Sequence, residues 1–293
     1  MKKAFILKNP YSELPYGKYQ CERLKSELEG LGVKTDIIAL PLGLSIDKNG
    51  IISSELNGYD FCIFLDKDKY AAHMLELTGL RLFNCARAIE LCDDKMLTHI
   101  ALSGNGINMP QTTAGLLCYT PAAEIKNSAL DKIESAFGYP VIVKESYGSL
   151  GKGVYKADNR KQLAALCERV KCTPHLFQKF IKSSKGRDIR VIVIGGKCVA
   201  AMQRISNGDF RSNIGLGGAG QPYEIDGSLN DICVRTAKIL NLGYCGIDVL
   251  FGENGYLVCE VNSNAFFGGV EKATGVNVAR AYAEYICGEI YGR

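Results

Sequence analysis

Residues 246–262 read GIDVLFGENGYLVCEVN. Alternating apolar residues flank Gly252-Glu253-Asn254-Gly255, the pattern of a β-hairpin. A three-residue loop of Glu253, Asn254 and Gly255, with the glycine left-handed beside a bulge, places Asp248 directly opposite Glu260. Asn262, two residues on, then shares their face. Carboxylates opposite each other on a sheet repel unless something lies between them. Two carboxylates and an amide oxygen form a suitable set for a hard cation such as Mg²⁺. A two-residue loop instead shifts the register by one and sends Asp248 to the other face. The hairpin alone does not choose between the two.

Upstream, residues 229–242 carry a helical pattern, and DIRVIVIGGKCVAAMQRI (188–205) is a hairpin turned at Gly195-Gly196. Asp188 and Arg190 share one face of its first strand, with Ile189, Val191 and Val193 on the other. Arg190 and Arg204 read either as surface ion pairs or as guanidinium forks for a phosphate or carboxylate. The stretch 207–213 (NGDFRSN) and a glycine-rich run to Gly220 follow. In YPVIVKESYGSLGKGVYKA (139–157), a strand ending on Lys144 and a second strand enclose Gly148-Ser149-Leu150-Gly151-Lys152-Gly153. Such a loop can bring backbone N–H groups to phosphate oxygens, with lysine as a point charge. It is neither a Walker loop, since glycine follows the Gly-Lys, nor a dinucleotide fingerprint, since strand leads to strand. A flap over phosphates, as in kinases, fits the pattern; an ordinary flexible turn fits it too. HLFQKFI (175–181) is a further strand, running into a hinge-like loop at 183–186.

Nearer the N-terminus, KAFILK (3–8), VKTDIIAL (33–40), YDFCIFL (59–65) and LRLFN (80–84) are strand-like and alternate with helical patterns at 17–31 and 73–77. That alternation predicts a parallel α/β layer over roughly the first 90 residues, a scaffold that also forms one wall of a cleft. Helices are expected over 86–102, where Asp93-Asp94-Lys95 reads as a solvated face, over 121–137 with Pro121 in the first turn, and over 276–290.

The 293 residues suffice for two or three cores. No apolar run is long enough to span a bilayer. A net charge of +4 without a basic block argues against nucleic acid. Twelve cysteines contain no C-x-x-C, and Cys62, Cys198, Cys245 and Cys259 lie inside apolar runs. They read as buried reduced thiols of a cytoplasmic protein. Three scattered histidines argue against a zinc site or a histidine-based triad.

PVIVK with its glycine flap, FQKFI, KGRDIRV, GDFRSN, GIDVL and EVN, in this order, resemble an ATP-grasp ligase. The run GRDIRV…VAAMQR…GDFRSN and the tail GVEKATGVNVA resemble the RimK-type α-L-glutamate ligases. The resemblance covers nearly the whole chain. It implies an α/β (α+β) ATP-grasp fold: a pre-ATP-grasp domain at 1–92, a small lobe with the flap at 93–181, and a large C-terminal lobe at 182–293. It implies an ATP-dependent carboxylate–amine ligase that works through an acyl phosphate and adds glutamate or a similar amino acid to a peptide, a protein C-terminus or a small molecule. The cofactors implied are ATP and Mg²⁺ (or Mn²⁺), with two ions. The partner is an amino-acid, peptide or protein substrate, without membrane or nucleic acid; a homo-oligomer stays open. Lys95 and Lys144 would hold phosphates, beneath the flap residues Gly148, Ser149, Gly151 and Gly153. The segment Gln178, Lys179, Phe180 and Ile181 would bind adenine, Asp188 the ribose, and Arg211, Ser212 and Asn213 nucleotide and phosphate. Arg190 and Arg204 would face the reacting carboxylate and γ-phosphate. Asp248, Glu260 and Asn262 would ligate the metal, which favours the three-residue loop. A silent nucleotide-binding regulator and a kinase-like phosphotransferase are the alternatives. Relatives usually follow the metal asparagine with Ala-Ser-Pro-Gly; here Ser263-Asn264-Ala265-Phe266-Phe267 stands instead. One ring is expected in the acceptor pocket and the other in the core.

Overall fold

Strand β1 (Lys3–Lys8) is an unbroken apolar run because Ala4 to Leu7 are buried; a parallel strand covered on both faces has no solvent side. Helix α1 (Pro15–Gly30) carries the chain to β2 (Lys34–Ala39). The polar stretch that follows forms a short antiparallel pair, β3 (Leu44–Ile46) and β4 (Ile52–Ser54), which the sequence did not suggest. Strand β5 (Phe61–Leu65), helix α2 (Lys69–Leu77) and β6 (Arg81–Phe83) complete a sheet of order β2-β1-β5-β6 whose pairs are all parallel. The computed structural model describes residues 1–11, 15–39, 43–206, 208–212 and 218–292.

The helix expected over 86–102 is two helices, α3 (Ala86–Asp93) and α4 (Lys95–Leu102). Asp94 leaves the helical region, and its carboxylate accepts from the N–H groups of Met96 at 2.8 Å and Leu97 at 3.1 Å. It is an N-cap, satisfying donors a helix start leaves open, so the charge cluster marks a boundary.

Strand β7 (Thr112–Ala114), helix α5 (Asn127–Phe137), strands β8 (Val141–Glu145) and β9 (Val154–Ala157), helix α6 (Arg160–Val170) and strand β10 (His175–Lys179) follow. Their antiparallel sheet has the order β7-β10-β8-β9. Helix α5 starts six residues later than Pro121, because Pro121 occupies the second position of a turn closed by Ala123 N–H to Thr120 C=O, 3.1 Å.

Strands β11 (Arg187–Ile194), β12 (Lys197–Ile205) and β13 (Ala219–Pro222), helix α7 (Gly227–Ile239), strands β14 (Tyr244–Gly252) and β15 (Gly255–Asn262), and helices α8 (Gly268–Thr274) and α9 (Val278–Tyr291) complete the chain. The five strands form an antiparallel sheet of order β13-β12-β11-β14-β15. Gly195 and Gly196, with φ of 54° and 74°, make the β11–β12 turn, a geometry that side chains resist. Ile189, Val191 and Val193 face α7 and α3, while Ile192 and Ile194 face α9 and the first sheet. Asn84, after β6, fixes that first sheet in place. Its amide oxygen accepts from Gly243 and Tyr244 N–H, and its nitrogen donates to Tyr244 and Ser263 C=O. Among the described residues no helix is long and apolar enough to cross a membrane.

Candidate active site

Gly252 pairs with Gly255, so the hairpin loop is the two residues Glu253 and Asn254, not the expected three. A regular ladder from that turn puts Cys259 opposite Asp248. A bulge takes up Cys259, and beyond it Asp248 faces Glu260 and Gly246 faces Asn262. The inserted residue restores the face that loop length would have lost. The β11–β12 hairpin repeats the device. Val193 pairs with Cys198 but Ile192 with Ala200, so Val199 is the extra residue and Asp188 faces Arg204 instead of Gln203.

The two bulged hairpins are joined by β11–β14 pairing, in which Arg190 faces Asp248. Arg190 holds the Asp248 carboxylate through both Nε and Nη2, the latter at 2.8 Å. Arg204 Nη2 lies 3.0 Å from the same carboxylate. Arg204 also grips Asp188 with two N–H groups, its Nε 2.7 Å from Oδ1. These are buried pairs: Arg204 is 5% exposed, Asp248 6% and Asp188 8%. Burial acts to raise the Asp248 pKa, but the two guanidinium groups outweigh it and hold it at about 2. Burial likewise opposes the Arg204 charge, and Asp248 and Asp188 override it, raising its pKa. Two cations thus neutralise two anions where water cannot.

The Glu260 carboxylate makes no hydrogen bond among the described residues, and the amide nitrogen of Asn262 is buried without a partner. No three His, Cys, Asp or Glu side chains are grouped to hold a metal among the described residues. A cation here would meet the Glu260 carboxylate and the Asn262 amide oxygen, and would share the Asp248 oxygens with Arg190 and Arg204; these are hard donors of the kind Mg²⁺ takes, an ion that keeps several waters and uses few protein ligands.

Lys144, the penultimate residue of β8, has its ammonium 3.3 Å from the sulfur of Cys259, the residue before Glu260. Lys95, buried at the start of α4, donates to Gly148 C=O at 2.9 Å. Burial lowers its pKa, against a smaller pull from Glu260. From the other side Arg211 donates to Gly151 C=O at 2.9 Å while paired with Asp209. The flap is therefore held at both ends. Gln178 turns inward, its amide nitrogen 2.9 Å from Thr112 Oγ1 and 3.2 Å from His99 Nε2. Burial, then Lys144, depresses His99 to about 4 and keeps it neutral.

These groups surround a cleft of about 920 Å³. Of the residues singled out in the sequence, Lys144, Ser149, Gly151, Gln178, Lys179, Phe180, Ile181, Asp188, Arg190, Arg204, Arg211, Ser212, Asp248, Glu260 and Asn262 line it. Lys95, Gly148 and Gly153 are not among its lining residues, and Asn213 falls outside the described residues.

The family model for the RimK-like ATP-grasp domain matches residues 92–286. The chain belongs to the RimK-like ATP-grasp family. It is 34% identical over 283 residues to a probable α-L-glutamate ligase of Psychromonas ingrahamii, an alignment covering 92% of this chain and 91% of that protein. Over 223 residues it is 34% identical to N-acetylaspartylglutamate synthase A of Homo sapiens. That alignment covers 75% of the chain but 56% of the synthase, so the chain spans little more than half of that relative. Among solved structures, ATP-grasp ligase PsnB complexed with minimal precursor, Mg, and ADP superposes with a TM-score of 0.69 at 18% identity, covering 98% of each chain. The fold is that of the ATP-grasp ligases.

Phe267 is wholly buried under α9, the core position expected for one of the two rings, and Phe266 lines the cleft. The first domain forms one wall of the cleft, as its α/β pattern suggested, through Lys8, Asn9, Asp66 and Lys67, residues the sequence had not singled out. These residues sit at the carboxyl ends of the adjacent parallel strands β1 and β5, where Asn9 donates to Asp66 at 3.2 Å. The chain leaves β1 and β5 toward opposite edges of the sheet, and such a switch point is where open α/β sheets bind ligands.

Proposed function

We propose that this protein is an ATP- and Mg²⁺-dependent ligase joining a carboxylate to an amine, with glutamate or a similar amino acid as one partner. The observation that carries the reading is the shared face of Asp248, Glu260 and Asn262, brought beside Arg190, Arg204 and Lys144 under a pinned glycine flap. Family membership and relatives named as glutamate ligases support it.

A carboxylate is a poor electrophile, and phosphorylation corrects this. A substrate carboxylate oxygen attacks the γ-phosphorus of ATP; the new O–P bond forms as the β–γ bridging bond breaks, releasing ADP. The amine nitrogen then attacks the acyl carbon, a C–N bond replaces the C–O bond to phosphate, and inorganic phosphate and a proton leave. Phosphoryl transfer needs positioning and electrostatic cover more than a protein nucleophile. Lys144 supplies a point charge at the phosphates, and Arg190 and Arg204 cover the transferring group. Mg²⁺ (or Mn²⁺) held by Asp248, Glu260 and Asn262, with two ions in the working site, would neutralise phosphate oxygens. Asp188, gripping Arg204, is better read as the residue that positions that guanidinium than as a ribose contact. Backbone groups of Lys179 and Ile181 meet the adenine edge, and the flap excludes water from the acyl phosphate. The three units are residues 1–92, 93–181 and 182–293, with α4 a connector whose Leu102 packs in the core of the third sheet.

The test is ADP release and product mass with ATP, Mg²⁺ and glutamate, offered N-acetylaspartate, citrate or a glutamate-ended peptide in turn. ADP and a glutamyl adduct should appear only when carboxylate and amine are both present. Phosphorylation of a hydroxyl compound without an amine would instead establish a kinase-type activity.

A further inference from the structure

The segment after the metal strand and the first turns of α1 come from opposite ends of the chain, yet they are bound together as one wall of the cleft. Gln20, 1% exposed, donates to Asn264 Oδ1 at 3.3 Å and to Ala265 C=O at 3.1 Å. Tyr244 Oη donates to the same Ala265 carbonyl at 2.6 Å. Tyr19 donates to Glu271 at 2.7 Å and sets its ring edge against Phe267, which is anchored in the core. With the backbone so fixed, Phe266 points into the cleft against Tyr16, ring centroids 5.5 Å apart and planes at 51°. Rings this close leave no room between them for a third group, so together they narrow this side of the cleft.

We infer that the Tyr16–Phe266 contact is a gate that limits the amine substrate to the size of a single amino acid. The inference rests on the ligase reading. The carboxylate must reach the γ-phosphate beside Asp248 and Glu260, and Lys179 to Ile181 lie at the hinge, where adenine belongs. The amine therefore comes from the remaining side, which the Tyr16–Phe266 contact narrows. The cleft, about 920 Å³, is near the top of the roughly 300–1,000 Å³ usual for one bound small molecule. A nucleotide and a carboxylate share that volume, and two touching rings then decide what else enters. Aromatic side chains suit this role because they impose shape with little freedom to move aside.

The experiment measures kcat/KM for glutamate, a glutamyl dipeptide and a glutamyl tripeptide as amines, with ATP, Mg²⁺ and the carboxylate that supports turnover. The protein is compared with Tyr16→Ala, Phe266→Ala and Tyr16→Trp. The parent should prefer glutamate. Either alanine variant should raise the peptide-to-glutamate ratio by about tenfold or more, the scale on which apolar pocket walls discriminate, and Tyr16→Trp should lower it. Because the rings touch, the two alanine effects should not add in the double variant. Tyr16 is 43% exposed in the first turn of its helix, so Tyr16→Ala decides the matter if Phe266→Ala does not fold. A parent that takes the tripeptide as well as glutamate, or alanine variants that turn over with the parent's ranking, overturns the gate. ADP release by the parent from none of the carboxylate–amine pairs overturns the ligase reading, and the gate with it.

Discussion

Replacing Asp188 with alanine separates two roles for this residue. Its carboxylate makes two contacts to Arg204, one at 2.7 Å, and neither group meets much solvent. Removing one partner of a buried pair costs about 3–5 kcal/mol because the other charge is left without compensation. Arg204 keeps Asp248 at 3.0 Å, which places the expected loss at the lower end, ~3 kcal/mol. At about 2–4 °C per kcal/mol for a chain of this size class, the melting temperature of the ligand-free protein should fall by roughly 6–12 °C. Thermal unfolding followed by circular dichroism reads the first effect, and titration calorimetry with ATP reads the second. Nucleotide affinity should change by less than about threefold, or about 0.6 kcal/mol, while turnover falls because Arg204 is no longer held. An unchanged melting temperature with tenfold weaker ATP binding would refute the positioning role and restore Asp188 as a nucleotide contact.

Three further outcomes follow from the same geometry. Lys144→Ala should weaken ATP binding by about 10–100-fold, the range for one charge-assisted contact, with the melting temperature of the ligand-free protein nearly unchanged; equal affinities would make Lys144 structural. Gly246→Ala would put a Cβ 2.4 Å from the Ala265 Cβ, so it should cost about 1–3 kcal/mol by overpacking, and parental stability in a urea titration would contradict that close approach. His99 has a folded pKa of about 4 against 6.5 unfolded. The unfolded chain therefore takes up a proton that the folded one refuses: the stability due to neutral His99 is complete above 6.5 and is lost as pH falls toward 4, up to roughly 3 kcal/mol. The urea midpoint of His99→Gln should consequently fall less than the parent's between pH 7 and pH 4.5, and parallel declines would argue against the buried neutral ring.

Strand and helix order was legible because period and burial agree: β1 and β5 are unbroken apolar runs, and β11 alternates Asp188 and Arg190 with Ile189 and Val191. The cross-strand partners were less so. In both hairpins the loop has two residues and a bulge then moves the register by one, which brings Arg204 to Asp188 and Glu260 to Asp248. A bulge is an irregularity of pairing, and neither Val199 nor Cys259 carries a residue signal for it. Asp94 was read as one of three surface charges because capping depends on a backbone angle that periodicity does not reveal. That Lys8, Asn9, Asp66 and Lys67 make up the first domain's wall needed the sheet order, since only adjacency of β1 and β5 brings two distant loops together. The ion pairs of Arg190 and Arg204 were foreseen as surface contacts or ligand forks, whereas the sheet buries them against Asp248 and Asp188.

The central claim is that a carboxylate is activated by direct phosphorylation over the Asp248–Glu260–Asn262 face. It is tested most directly with a substrate carboxylate carrying ¹⁸O in both oxygens, turned over with ATP, Mg²⁺ and amine, the products being separated for mass spectrometry. An acyl phosphate requires one labelled oxygen to leave with phosphate at every turnover, so inorganic phosphate should carry one ¹⁸O and the amide the other. Asp248→Ala and Glu260→Ala, folded by circular dichroism, should release no labelled phosphate. Unlabelled phosphate alongside amide product, or label appearing in AMP, would contradict the account.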